Sequence, residues 1–286
     1  MTNNKSNTEI IASLRTAISQ GSNRRVVAIV GAGMSFDAAN LPLGKELAQH
    51  LIRKLDCDRG QGKIIFEKKI NELERKFNLE RDDFKTILFA LNQMDSKSLM
   101  HHFQSALSHV VPHSNSYKLL SALVEKGIIN AVLNFNFDEI LDSELDKIRK
   151  SICAVVTDSD LDFKCPRFPL YIKPHGTVSR PETIRFARAD YYRIEPKVEQ
   201  IIRDLLTEKK TIILLIGFRL KFFDFTNIFY ESLVPGSEIF VLDPDADVLD
   251  GILRDEFFAG QIKVDSEFSL SKILGSLVPD FLTAYV

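Results

Sequence analysis

Apolar positions along this chain follow two alternating periods, and the alternation predicts an α/β protein. Residues 8–20, TEIIASLRTAISQ, set Ile10, Ile11, Leu14, Ala17 and Ile18 at helical spacing, with Thr8 as N-cap and Gly21 as stop. The next run, RRVVAIV (24–30), is short, continuous and β-branched, the pattern of a strand buried on both faces. From about 60 to 127 only helical spacing appears. KIIFEKKINELERKF (63–77) carries Ile64, Ile65, Lys68, Ile70 and Leu73 near a 3.6 period, and DDFKTILFALNQM, SLMHHFQSALSHVV and SNSYKLLSALVEKG behave alike.

Short apolar runs then return: AVLNF (131–135), SICAVV (151–156), PLYIKPHG (169–176), TIRF (183–186), TIILLIGF (211–218) and SEIFVLD (237–243). A helix over YRIEPKVEQIIRDLLTEK separates the fourth from the fifth. Strands alternating with helices predict a doubly wound, mostly parallel, Rossmann-like sheet with its ligand at the carboxyl ends of the strands. The strand-free stretch predicts an all-helical subdomain inserted at approximately 57–127 of a single domain spanning 1–286.

Composition narrows the class without choosing a partner. Hydrophobic residues make up 45% and charged residues 27%, as in globular domains, and the net charge of −2 gives no basic footprint for nucleic acid. Cys57, Cys153 and Cys165 are too few for a four-cysteine zinc site, and their odd number suits a reducing cytoplasm. The opening MTNNKSNTEI is no signal peptide, and no apolar run approaches the ~20 residues of a spanning helix. A cytoplasmic protein with no membrane contact is the expectation.

Four segments carry candidate chemistry. VVAIV runs into Gly31-Ala32-Gly33-Met34-Ser35, where a strand end without side chains admits a diphosphate and the following helix start offers amides to it. Phe36 occupies the place of the third fingerprint glycine, so a tight turn with no ligand is the alternative. In LNFNFDEIL (133–141), Asn134, Asn136 and Asp138 alternate, which on an extended segment turns all three to one side, toward a ribose diol. An N-cap role is the competing one for Asn136 or Asp138. In YIKPHGTVSRP (171–181), His175 stands at a strand end, uncovered by Gly176, as a candidate general base. His101, His102, His109 and His113 fall in the helical stretch and read as surface or core. Gly217 in LLIGF permits close backbone approach, and Asp243 ends SEIFVLD where a carboxylate binds an adenosine ribose or merely caps the DPDAD turn. The aromatic run FRLKFFDFTNIFY (218–230) reads as core or subunit interface.

The order of these motifs resembles the sirtuin family, and most closely the bacterial sirtuin-like NAD hydrolases of antiphage defence, over roughly residues 8–250. The resemblance implies that Gly31, Ala32, Gly33 and Ser35 cradle the NAD diphosphate. It implies that Asn136 and Asp138 correspond to the family's Thr-Gln-Asn-Ile-Asp segment, with Asn136 on the nicotinamide ribose. His175 corresponds to the catalytic His-Gly histidine, Gly217 to the later glycine loop, and Asp243 lies near the adenosine-ribose position. RFARADYYR (185–193) is similar to a segment of the defence branch. Three departures matter: no zinc module can be supplied, Leu43-Gly44 replaces the family's Phe-Arg pair after Pro42, and Asn134 and Phe135 replace Thr and Gln. They favour an NAD glycohydrolase over an NAD-dependent deacylase or ADP-ribosyltransferase, which is the first alternative. A non-catalytic NAD or ADP-ribose sensor controlling a partner ATPase is the second. The Phe-rich segment after Gly217 and the apolar surface of the inserted helices point to a homo-oligomer, while the resemblance raises a HerA-like ATPase as partner and implies no metal.

Overall fold

The computed structural model describes residues 6–19, 24–59, 62–77, 84–108, 110–148, 151–161, 167–184, 194–218, 223–245, 249 and 251–278. Its centre is a parallel sheet of seven strands: β1 (Arg25–Val30), β2 (Ala131–Asn134), β3 (Cys153–Val155), β4 (Leu170–Ile172), β5 (Thr211–Ile216), β6 (Glu238–Asp243) and β7 (Phe258–Lys263). The order is β3-β4-β2-β1-β5-β6-β7: from β1 the chain passes to β2, on to β3 at one edge and back to β4 between them, and then crosses to β5, β6 and β7 on the other side. This is the doubly wound sheet expected from the apolar runs. The winding reverses between β1 and β5, which is the switch point where such sheets open a crevice.

Successive residues of each central strand serve opposite layers because a strand has period two. Val26, Ala28 and Val30 of β1 and Ile212, Leu214 and Ile216 of β5 face one core, shared with α1 (Asn7–Ser19), α2 (Ala32–Ala39) and the helices between β1 and β2. Those are α3 (Gly44–Arg59), α4 (Gly62–Phe77), α5 (Phe84–Leu107) and α6 (Ser116–Glu125). Val27, Ile29, Ile213 and Leu215 face the other core, covered by α9 (Pro196–Thr207) and α10 (Phe223–Ser232). Ile228 and Phe229 of the aromatic run are buried there, and residues 219–222 of that run lie outside the described residues. On the first face, α7 (Ile140–Leu145) follows β2 and α12 (Leu270–Leu277) packs against α6; α8 (Asp158–Leu161) and α11 (Gly251–Phe257) are short connectors.

Several local expectations are corrected. α1 begins two residues earlier than Thr8 suggests, at Asn7, because Ser6 and Glu9 form a capping box: Ser6 N donates to Glu9 Oε2 at 2.7 Å and Glu9 N to Ser6 Oγ at 3.3 Å. In α4 the buried stripe is Phe66, Ile70 and Leu73, while Ile64 and Ile65 are exposed. α5 is two helices joined at Asp95, whose extended backbone breaks the first and whose carboxylate caps the second through Ser98 N at 3.1 Å. TIRF forms no strand in its described part: Pro181–Thr183 is a 3₁₀ turn, closed by Ile184 N donating to Pro181 O, and 185–186 lie outside the described residues. RFARADYYR, Gly21, His109 and Cys165 also lie outside them. The seventh strand is instead β7, FAGQIK, an edge strand with only alternate residues buried.

Candidate functional site

The carboxyl ends of the central strands are level with one another. Val30 is paired with both Asn134 and Ile216, Leu133 with Ile172, and Ile216 with Leu242. One residue further along, Gly31, Phe135, Gly217 and Asp243 therefore lie in a row across four neighbouring strands, with Lys173 level with Asn134 beside them. His175 follows in the turn three residues past β4. The sheet thus brings every sequence-predicted site segment to one edge.

At the switch point the two glycine turns lie against each other. Gly31 N donates to Ile216 O and Gly33 N to Gly217 O, each at 3.0 Å, and Gly217 N reaches Leu242 O at 3.0 Å. A Cβ on Gly31 would stand 2.5 Å from Gly217 O, and one on Gly33 would stand 2.7 Å from Gly217 Cα. Gly217 itself has φ +55°, and its own Cβ would meet Met34 N at 2.5 Å. These three glycines are required first by backbone approaching backbone. Met34 N donates to Gly31 O at 3.0 Å, so the amides of Gly31, Gly33 and Met34 are all engaged within the protein. Ala32, at the exposed start of α2, is the part of the turn that faces outward.

Behind this turn lies a buried polar cluster. Asn136 Nδ2 donates to Gly31 O at 2.9 Å, to Ser35 Oγ at 2.9 Å and to Tyr117 Oη at 3.1 Å. Ser35 Oγ donates to Asp138 Oδ2 at 2.7 Å and lies 2.8 Å from Tyr117 Oη. Asp138 Oδ1 accepts Ile140 N at 3.2 Å, so it also serves the start of α7. Burial pushes the Asp138 carboxyl up, against partial compensation from the Ser35 bond and the Lys173 charge. Burial, and then the charge of Asp138, push the Tyr117 phenol well above its ordinary range. The expectation that Asn134, Asn136 and Asp138 share one side fails for Asn134. Its Oδ1 accepts Asn136 N at 3.1 Å, a local turn that ends the extended backbone, and its Nδ2 donates to Tyr171 Oη at 2.9 Å.

His175 is half-buried, its ring edge-to-face with Phe135 (centroids 4.9 Å apart, 82°) and stacked near Phe137 (6.1 Å, 24°). The two phenylalanines that interleave the Asn-Asp segment thus hold the ring. Gly176 has φ +88° and packs against the Thr183 carbonyl, which accounts for glycine after the histidine. Two residues of this region escaped the sequence reading. Lys173 is fully buried, and its Nζ donates to Asp138 O at 2.6 Å, Asp142 Oδ2 at 3.0 Å and Thr177 Oγ1 at 3.0 Å. A lysine in the apolar run LYIKP was a signal, since a buried ammonium must be paired. Tyr117 gave none, because a tyrosine on a helical face is ordinary. Asp243 is buried; its Oδ1 accepts Asp245 N at 2.9 Å, the turn-capping role of the DPDAD segment.

Comparison with known proteins agrees with this architecture. A family model described as a SIR2-like domain matches residues 130–255. No curated protein matches in sequence. Among solved structures, a Sir2 homologue in complex with NAD is similar at 11% identity and a TM-score of 0.54, covering 96% of this chain and 94% of that one. A Sir2 homologue mutant in complex with ADP-ribose is similar at 11% identity and 0.55, covering 96% and 98%. A structure from work on the mechanism and regulation of Sir2 enzymes is similar at 11% and 0.51, covering 96% and 98%. The chain has the Sir2-like Rossmann fold, and its residues 130–255 are similar to a SIR2-like domain. Among the described residues, no group of three or more His, Cys, Asp and Glu side chains is placed to hold a metal ion. No helix among them is long and apolar enough to cross a membrane.

Proposed function

We propose that this protein is an NAD glycohydrolase, cleaving NAD with water to nicotinamide, ADP-ribose and a proton. The observation that carries the reading is the convergence of Gly31–Ser35, Asn136, His175, Gly217 and Asp243 on one edge of a Sir2-like sheet, at its switch point. The diphosphate charge would lie over Ala32 at the amino end of α2, where the helix dipole favours an anion. Asn136 would hold the nicotinamide ribose, with Ser35 and Asp138 supporting it from behind, and Asp243 would stand by the adenosine ribose. Breaking the glycosidic bond develops oxocarbenium character at the anomeric carbon, and His175 would take the proton of the attacking water or of a ribose hydroxyl.

A free-running NAD hydrolase depletes its own cell. We therefore extend the proposal to an antiphage effector restrained through homo-oligomer assembly or a HerA-like ATPase partner. Incubation of the protein, alone and with such a partner, followed by chromatography of products tests the central claim. NAD should convert to nicotinamide and ADP-ribose, and His175→Ala should lower the rate by about 10²–10⁴-fold, the usual worth of a general acid–base group. That variant should still fold, since the ring is only half-buried. Intact NAD with every partner and trigger present sinks the reading. Light scattering tests the restraint, which a monodisperse, fully active monomer overturns.

A further inference from the structure

The buried cluster behind the Gly31 turn has a direction, and the direction follows from counting protons. Gly31 O can only accept, so the end of the Asn136 carboxamide 2.9 Å away must be Nδ2. The Ser35 hydroxyl has one proton, which goes to the Asp138 carboxylate at 2.7 Å. Tyr117 Oη, 2.8 Å from Ser35 Oγ, must therefore donate to it, and its remaining lone pairs face Asn136 Nδ2 at 3.1 Å. Nδ2 has two protons: one goes to Gly31 O and the other is shared between Ser35 Oγ at 2.9 Å and Tyr117 Oη at 3.1 Å. Protons thus pass one way, from Asn136 both directly and through Tyr117 to Ser35 and on to Asp138. Reversing the carboxamide would set Oδ1 against Gly31 O, two acceptors in contact. Among the described residues Oδ1 accepts no hydrogen bond, so it is the polar atom of Asn136 left for another molecule.

We infer that Tyr117 is a positioning residue of this site: from α6, its hydroxyl completes a one-way hydrogen-bond chain that holds Asn136 with Nδ2 turned inward and Oδ1 offered to the ligand. Asn136 then only accepts. The ligand group it takes must carry a proton, a sugar hydroxyl or a water, and not a carbonyl or phosphate oxygen. The identity of that ligand rests on the NAD reading; the orientation of Asn136 does not. Tyr117 is 1% exposed and lies on a helix outside the strand ends, so it acts through Asn136 without touching substrate itself.

The test is Tyr117→Phe in the full chain, which keeps the ring and removes the hydroxyl. In the ¹⁵N-labelled protein the Asn136 side-chain amide pair is assigned by its loss in Asn136→Ala, or in Asn136→Asp if the alanine variant does not fold. Tyr117→Phe should shift that pair and speed its exchange with water about tenfold, with the fold retained by circular dichroism. NAD turnover should fall roughly tenfold in kcat, the factor equal to one hydrogen bond of about 1.4 kcal/mol, with KM little changed. Combined with the Asn136 substitution it should cost nothing more, because both changes remove one device. An unshifted Asn136 pair in folded Tyr117→Phe overturns the inference, and so do losses that multiply in the double variant. A wild-type protein that cleaves no NAD overturns the function reading alone, and the amide measurement still decides the role of Tyr117.

Discussion

Replacing Gly217 by alanine separates two costs that a single glycine position usually confounds. The backbone there has φ +55°, a left-handed conformation that costs a residue with a Cβ about 1–2 kcal/mol. The added carbon would also stand 2.5 Å from Met34 N, 2.6 Å from Gly33 C and 2.7 Å from Gly33 Cα. All three are backbone atoms of the Gly31–Ser35 turn, which is held by Gly33 N to Gly217 O at 3.0 Å and cannot swing aside as a side chain would. Overpacking of this kind adds about 1–3 kcal/mol. The sum is about 2–5 kcal/mol, which for a domain of this size lowers Tm by roughly 4–20 °C. Two other glycines calibrate the result. Gly236 has φ +86° but would meet only the flexible Lys210 side chain, at 3.1 Å and beyond, so Gly236→Ala should show the conformational cost alone. Gly251, at the start of α11, has nothing within 4 Å and ordinary φ, so Gly251→Ala should be neutral or slightly stabilising. Thermal and urea unfolding of the three variants decide the matter. The reasoning is refuted if Gly217→Ala costs no more than Gly236→Ala, because the clash with the opposite turn would then be absent.

Two further expectations concern the buried charges. The folded-state Asp138 carboxyl titrates above its ordinary 3.8, so between that value and the raised one the native protein binds more protons than the unfolded chain. Stability should therefore fall as pH rises through this window, and Asp138→Asn should flatten that part of the profile in urea unfolding from pH 4 to 8; an identical slope in the variant counts against a buried, desolvated carboxylate. Lys173→Ala should destabilise by about 2 kcal/mol, less than the full loss for a buried pair, because Asp142 keeps partial access to water; a change within ~0.5 kcal/mol in urea unfolding would show that the ammonium does not hold Asp138, Asp142 and Thr177 together.

How far the chain could be read in advance depended on the range over which each feature is encoded. The strands β1, β2, β5 and β6 were legible because strands covered on both faces must be continuously apolar, and the helices because a buried stripe repeats every 3.6 residues. β7 was not, since an edge strand with alternate burial can contain Gly260, Gln261 and Lys263 and still pair with β6. Thr183-Ile184 had strand composition and became a turn because Thr183 closes the Gly176 loop, its Oγ1 accepting Thr177 N at 3.1 Å.

The candidate site divides along the same line. Sequence alone marked Gly31, Gly33, Asn136, Asp138, His175, Gly217 and Asp243, because each follows an apolar run and is of a type that strand ends use. It also limited the cysteines to three, too few for a four-thiolate zinc site. Only the tertiary structure decided that β1 lies between β2 and β5, which sets the glycine turns in contact and reduces the amides left at the α2 start. Only it brought Tyr117, 19 residues before Asn136 in the chain, to within 3.1 Å of that carboxamide. Periodicity and turn chemistry are written over a few consecutive residues. Strand order, and the orientation of a carboxamide among three buried partners, are set by groups far apart in the chain whose hydrogen-bonding capacity must be satisfied together.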